Sequence, residues 1–138
     1  MPDDELDEAA LQFFDLVQIA ARPWPEQEQI TGGTISGIAW ELRNDIRADG
    51  KRFLAVFGDR LSASDVNAVS AYIEDFDRLP EAVFAAPGNG DGIGLRHSAW
   101  EDVRRESISL LRLFEPRIRV IYGRFDLDTH WLDQLLRS

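Results

Sequence analysis

The sequence contains no cysteine, a single lysine, and no hydrophobic run near the roughly 20 residues that a transmembrane helix needs. Because cysteine is absent, disulfides, thiolate metal centres and cysteine nucleophiles are excluded. The acidic beginning of the chain does not have the composition of a signal peptide. We therefore expect a cytoplasmic protein that makes no membrane contact.

The 138 residues are 44% apolar and 10% aromatic, which fits one globular domain spanning 1–138 with a sizeable core. The formal net charge of −10 repels nucleic acid, so binding to DNA or RNA is disfavoured and would need a local basic patch. Arginines concentrate between Arg96 and Arg124. They either form a basic strip or pair with carboxylates along solvated helices.

Three short apolar runs end at glycine or Pro-Gly, a pattern typical of strands in an α/β sheet. They are Phe53–Phe57, Ala82–Ala86 and Ile118–Tyr122. A further run, Thr34–Leu42, precedes the turn signal Asp49-Gly50 and predicts a hairpin with Lys51–Phe57.

Four segments have the apolar periodicity of helices. Asp4–Ala21 ends before prolines, and capping boxes at Ser62 and Ser98 open two further helices, the second of which reaches Phe114 before Glu115-Pro116 breaks it. Thr129–Arg137 closes the chain. The sequence thus predicts a single α/β domain of order α-β-β-α-β-α-β-α, with a mixed sheet, a leading β-hairpin and helices on both faces.

The predicted loop 88–94 follows a strand and precedes a helix, where phosphate-binding loops lie. A dinucleotide fingerprint would need glycine where Ile93 stands, so a flexible connector is the alternative. The candidate ligand-binding residues are Gly88, Asn89, Gly90, Asp91, Arg96 and His97.

Residues 45–53 would form an aspartate-bearing hairpin, and Arg119–Gly123 a late strand before the last helix. In this order of elements the chain resembles the restriction-endonuclease-like fold, in particular the Mrr-type DNA-cleaving domain of the PD-(D/E)xK superfamily. The resemblance implies that the metal-binding aspartate of that family falls on Asp45. Where the family has an acid or glutamine, then one residue, then lysine, this chain has Ala-Val-Phe-Gly at 55–58, which supplies neither a metal ligand nor a lysine. Asp59 and Lys51 are the remaining catalytic candidates, and no metal site is predicted.

The favoured hypothesis is a non-catalytic protein-interaction or regulatory module, because no catalytic set is complete. An acidic surface is typical of small domains that bind basic proteins or mask nucleic-acid-binding surfaces. The partner would be another protein, and a homodimer stays open. No cofactor is expected under this hypothesis.

Two alternatives stay open. One is a divalent-metal-dependent phosphodiesterase or nuclease, with Mg²⁺ as cofactor and Asp45, Asp59, Asp91 and His97 around it. The other is a sensor of a small anionic ligand such as a nucleotide, in which the loop 88–94 closes over the anion and Arg96 or Arg124 pairs with it.

Overall fold

The structure, a computed structural model, describes residues 2–23, 25–27, 38–79 and 99–137. Every regular element in these ranges is a helix, and no strand occurs in them. The elements are α1 (Pro2–Ala21), α2 (Ile38–Phe57), a 3₁₀ turn (Gly58–Arg60), α3 (Ala63–Asp77), α4 (Ala99–Leu113), α5 (Glu115–Arg124) and α6 (His130–Leu136).

The prediction of an α/β fold with a leading β-hairpin is wrong. Lys51–Phe57 and the described end of Thr34–Leu42 belong to one continuous helix, α2. The buried positions of α2 are Leu42, Ile46, Gly50, Phe53 and Phe57. Their spacing of three and four residues is the period of a helix, and it overrides the local turn signal at Asp49-Gly50.

The predicted strand Ile118–Tyr122 is also helical and lies in α5. Ile118, Ile121 and Tyr122 are buried, whereas Val120 is 54% exposed, as a helical and not a strand period requires. The expectation of a nuclease-like fold is wrong for the same reason. Residues 45–53 and 119–123 carried that resemblance as a hairpin and a strand, and the structure has helices there. The third predicted strand, Ala82–Ala86, lies outside the described residues.

The other predicted helices are confirmed as α1, α3, α4 and α6. The Ser62 hydroxyl accepts a hydrogen bond from the Asp65 amide at 3.1 Å, which is the predicted cap of α3. Pro116 does not stop the chain from being helical. It lies in the first turn of α5, where a missing N–H costs no hydrogen bond.

Helix α1 lies at the centre and packs against α2, α4 and α5. Phe13 and Phe14 are fully buried, and the Phe13 ring stacks on Phe53 at 5.2 Å between centroids. The Phe53 ring in turn stacks on Phe57 at 5.2 Å and meets Phe114 edge to face at 6.1 Å. These rings belong to one hydrophobic core to which each of the helices α1 to α6 contributes.

Gly50 lies inside α2, where it lets neighbouring side chains approach the backbone. A Cβ atom there would lie 2.6 Å from Cδ1 of Ile73 and 3.2 Å from Cε1 of Phe13. The glycine is thus used for close packing between α1, α2 and α3, and not for a turn.

A buried polar cluster holds the segment after α1. The guanidinium of Arg104, on α4, donates to the Arg22 carbonyl at 3.1 Å and to Oε1 of Gln27 at 2.9 Å. Gln27 is fully buried, and its amide donates to the carbonyls of Ile19 and Ala20 at 3.0 and 3.3 Å. It therefore adds hydrogen bonds to carbonyls in the last turn of α1, where that of Ile19 also accepts from the Arg22 amide at 3.2 Å. Burial lowers the pKa of Arg104, and the charge of Glu101 opposes that effect.

Candidate functional site

An open groove of about 430 Å³ runs along the junction of α4 and α5. Its apolar lining comes from the end of α2, the end of α4 and one face of α5. The apolar residues are Phe57, Leu113, Phe114, Pro116, Val120 and Ile121. We call this feature the α4–α5 groove.

Two of these apolar side chains are unusually exposed. Leu113 is 48% exposed and Val120 is 54% exposed, although Phe114 and Ile121 beside them are buried. Large apolar side chains that line a concave surface mark binding sites more often than isolated exposed ones do. The α4–α5 groove is therefore the strongest candidate site in the described part of the chain.

The charged lining of the groove is mixed and slightly basic. It consists of three arginines and two aspartates, which are Arg60, Arg117, Arg124, Asp7 and Asp65. Three positive and two negative side chains give a local balance of +1, in a chain whose net charge is −10. The groove thus differs in sign from the protein as a whole.

Arg117 is oriented by the aromatic core. Its guanidinium carbon lies 5.1 Å from the centroid of the Phe57 ring, within the range of a cation–π contact. A guanidinium in such a contact can still donate hydrogen bonds from the N–H groups that do not face the ring. Among the described residues no carboxylate forms an ion pair with Arg117. The groove therefore presents a positioned donor beside an apolar surface.

Arg124 closes the other side of the groove by pairing with α1. One guanidinium nitrogen of Arg124 lies 2.9 and 2.8 Å from the two carboxylate oxygens of Asp7. The Asp7 side chain is 8% exposed, while that of Arg124 is 56% exposed. This pair fixes the start of α1 against the end of α5, at the edge of the groove.

Polar contacts on the far side of α5 hold the helix in place. The Tyr122 hydroxyl donates to the Asp15 carboxylate on α1, and burial raises the pKa of both groups. Arg119 donates to Glu115 within α5 and to Asp133 on α6. Those hydrogen bonds raise the pKa of Arg119 and lower that of Asp133. The groove wall is thus anchored to both α1 and α6.

A smaller cavity of about 310 Å³ lies between α3 and α4. Asp75 and Glu106 both line it and are within hydrogen-bond distance of each other, and Leu113 lines both this cavity and the α4–α5 groove. Burial, followed by a hydrogen bond and repulsion from Asp75, raises the pKa of Glu106 to about 7. We therefore expect the α3–α4 contact to depend on pH through this carboxyl pair.

The catalytic candidates from the sequence are not brought together. Asp45 and Lys51 are exposed on α2, and Asp59 is exposed in the 3₁₀ turn that follows it. At a rise of about 1.5 Å per residue, the 12 residues from Asp45 to the end of α2 span roughly 18 Å. Within the described ranges, no group of three or more His, Cys, Asp or Glu side chains could hold a metal ion.

The six candidate ligand-binding residues lie outside the described ranges. They are Gly88, Asn89, Gly90, Asp91, Arg96 and His97. The proposed loop site over 88–94 therefore stays a sequence prediction.

Sequence reasoning missed the groove because it assigned α5 to a strand. Arg117, Val120 and Arg124 are spaced three and four residues apart, so they lie on one helical face. That spacing is the feature of the sequence from which this face of the groove could have been recognised. A strand over Ile118–Tyr122 would place Ile118, Val120 and Tyr122 on one face, because side chains alternate along a strand, although the structure separates exposed Val120 from the other two.

Comparison with protein-family models, curated proteins and solved structures finds no match to this chain. Within the described ranges, the helices are too short or too polar to cross a membrane. Function is therefore inferred from the geometry of the groove.

Proposed function

We propose that the chain is a non-catalytic helical module that binds a protein partner through the α4–α5 groove. The observation that carries this proposal is the pair of exposed apolar side chains, Leu113 and Val120, beside the guanidinium of Arg117, which lies over the Phe57 ring. The buried core of a protein interface is more apolar than the rest of the surface, and arginine is enriched among the residues that contribute most to binding.

The groove is also mechanically suited to docking. Its walls are helices anchored by the Asp7–Arg124 ion pair and by the aromatic core under Phe57. A surface that is already ordered loses little conformational entropy when a partner binds. A cytoplasmic setting and a protein partner both stay predictions under this proposal.

The test compares two matched double variants of the intact chain. The groove variant is Leu113→Gln/Val120→Gln, and the control is Phe125→Gln/Leu127→Gln, whose side chains are 41% and 45% exposed and do not line the groove. Neither variant changes the net charge. Circular dichroism and thermal melting establish that both fold like the wild type.

Each protein is used to capture partners from an extract of its source cells, and a captured partner is then purified and titrated by calorimetry. Losing one buried apolar contact costs about 1.5–3 kcal/mol, so we expect the groove variant to bind at least about tenfold more weakly than the wild type. The control should bind within about twofold. Equal losses in both variants, or no loss in the groove variant, would contradict the proposal. Sedimentation of the chain alone shows whether the partner is a second copy.

A further inference from the structure

We infer that the occupant of the α4–α5 groove is an amphipathic helix whose apolar stripe is flanked by carboxylates. This inference rests on the proposed docking function and specifies its partner. It combines three observations, which are the shape of the apolar lining, the local charge of the groove and the way the groove already binds a helical carboxylate.

The apolar lining suits a helix. Leu113 and Val120 lie on successive helices on either side of Pro116, so they form two separate apolar contacts along the groove. A helix with apolar residues at positions i, i+3 or i+4, and i+7 can reach contacts of this kind with one face. Recognition by β-strand addition would need an exposed sheet edge, and no strand occurs in the described ranges.

The local charge specifies what flanks the apolar stripe. The lining has a balance of +1, and Arg117 forms no ion pair with a described carboxylate. Arginine prefers carboxylates because two N–H groups can donate to the two oxygens together. A lysine-rich partner helix would instead place like charges against Arg60 and Arg117, which raises the free energy of the complex.

The chain itself supplies an example of this recognition. Asp7 belongs to the acidic helix α1, and both of its carboxylate oxygens lie within 2.9 Å of Arg124 at the groove edge. An acidic helix packed along α5 is therefore already part of the fold. A partner helix on the other side of Arg117 would repeat that contact.

The net charge of −10 determines how the inference must be tested. Long-range repulsion opposes any acidic peptide, whereas the arginines attract it at short range, so salt dependence mixes two opposing effects. Charge reversal at one groove position separates them. A control reversal outside the groove changes the net charge by the same amount.

The probes are three synthetic helical peptides with the same leucine stripe and with flanking positions that are all Glu, all Gln or all Lys. Binding to the folded chain is measured by fluorescence anisotropy for the wild type, Arg117→Glu and the control Arg105→Glu. Arg105 is exposed on α4, pairs with Asp102 and does not line the groove. Benzoate and inorganic phosphate are titrated as small anions.

We expect the wild type to bind the Glu peptide about three- to tenfold more tightly than the Gln peptide, and the Lys peptide most weakly. Arg117→Glu should reverse that order, and Arg105→Glu should keep it. Equal affinity for the Glu and Gln peptides would overturn the acidic flank and leave the docking function intact.

Absence of binding by all three peptides at about 1 mM would overturn the helical occupant. Tight Arg117-dependent binding of benzoate or phosphate alone would assign the groove to a small anion and also overturn it. The docking function itself is decided separately, by the matched double variants described above.

Discussion

Replacing Gly50 by alanine tests the packing that makes this fold helical. The added Cβ would lie 2.6 Å from Cδ1 and 3.0 Å from Cγ1 of Ile73, and 3.2 Å from the ring of Phe13. Real Cβ atoms essentially never approach another heavy atom to 2.6 Å, so Ile73 must move. Because Ile73 is only 6% exposed, little free space is available for that movement.

Two opposing effects determine the size of the change. Alanine in a helix interior is favoured over glycine by about 1 kcal/mol, whereas an extra methyl in a packed core costs about 1–3 kcal/mol. Gly50→Ala should therefore lower the free energy of unfolding by about 1 kcal/mol, or the Tm by roughly 3–5 °C for a domain of this size. Ile73→Val removes Cδ1 and alone should cost about 1 kcal/mol.

Urea unfolding of the wild type, both single variants and the double variant gives the coupling between the two sites. We expect the double variant to be about 1 kcal/mol more stable than the sum of the single effects predicts, because the closest clash is gone. Additivity within about 0.5 kcal/mol would refute the close approach of α2 and α3. A loss from Gly50→Ala that Ile73→Val does not relieve would instead indicate a backbone requirement for glycine, as in a hairpin turn.

Two further predictions concern α4. Arg104→Met should lower the free energy of unfolding by about 2–3 kcal/mol in urea titrations, because the buried acceptor of Gln27 loses its donor, whereas exposed Arg105→Met should change it by less than about 0.5 kcal/mol. Equal effects would contradict the role of the buried cluster. The folded-state pKa of Glu106, about 7, lies above its ordinary value of 4.5. Between pH 4.5 and about 7 the folded chain therefore holds a proton that the unfolded chain has lost, and the free energy of unfolding should fall as the pH rises through this range. Glu106→Gln should flatten that slope in melting curves and raise the Tm at pH values above about 7, where the wild type has a charged carboxylate facing Asp75. An unchanged slope would contradict the pairing.

The helices that could be predicted from the sequence are those in which local and global signals agree. For α3, the apolar period coincides with a cap at Ser62, and the structure confirms both. In α2 the two levels conflict, because Asp49-Gly50 favours a turn while the buried residues from Leu42 to Phe57 follow a helical period. Burial of that stripe decided the outcome, since tertiary packing outweighs a local propensity of about 1 kcal/mol.

The groove could not be predicted from the sequence for a different reason. Its ion pair joins Asp7 and Arg124, which are 117 residues apart, and no local pattern places them together. The helical face of Arg117 and Val120 could have been recognised from their spacing alone. Its position over Phe57 depends on how α5 packs against the end of α2, which only the tertiary structure supplies.

The core and the groove are linked through one stack of aromatic rings. Phe13 stacks on Phe53, Phe53 stacks on Phe57, and Arg117 lies over Phe57 at the surface. The guanidinium thus lies over side chains that already stabilise the fold, so the proposed docking would require little additional ordering at this position. The same face of α5 carries exposed Val120. Burying this side chain would lower the free energy only in a complex, because the chain alone leaves it in water. The proposed docking therefore depends on an exposed side chain of α5 that the core does not use, and a change at Val120 should weaken docking while the fold remains intact.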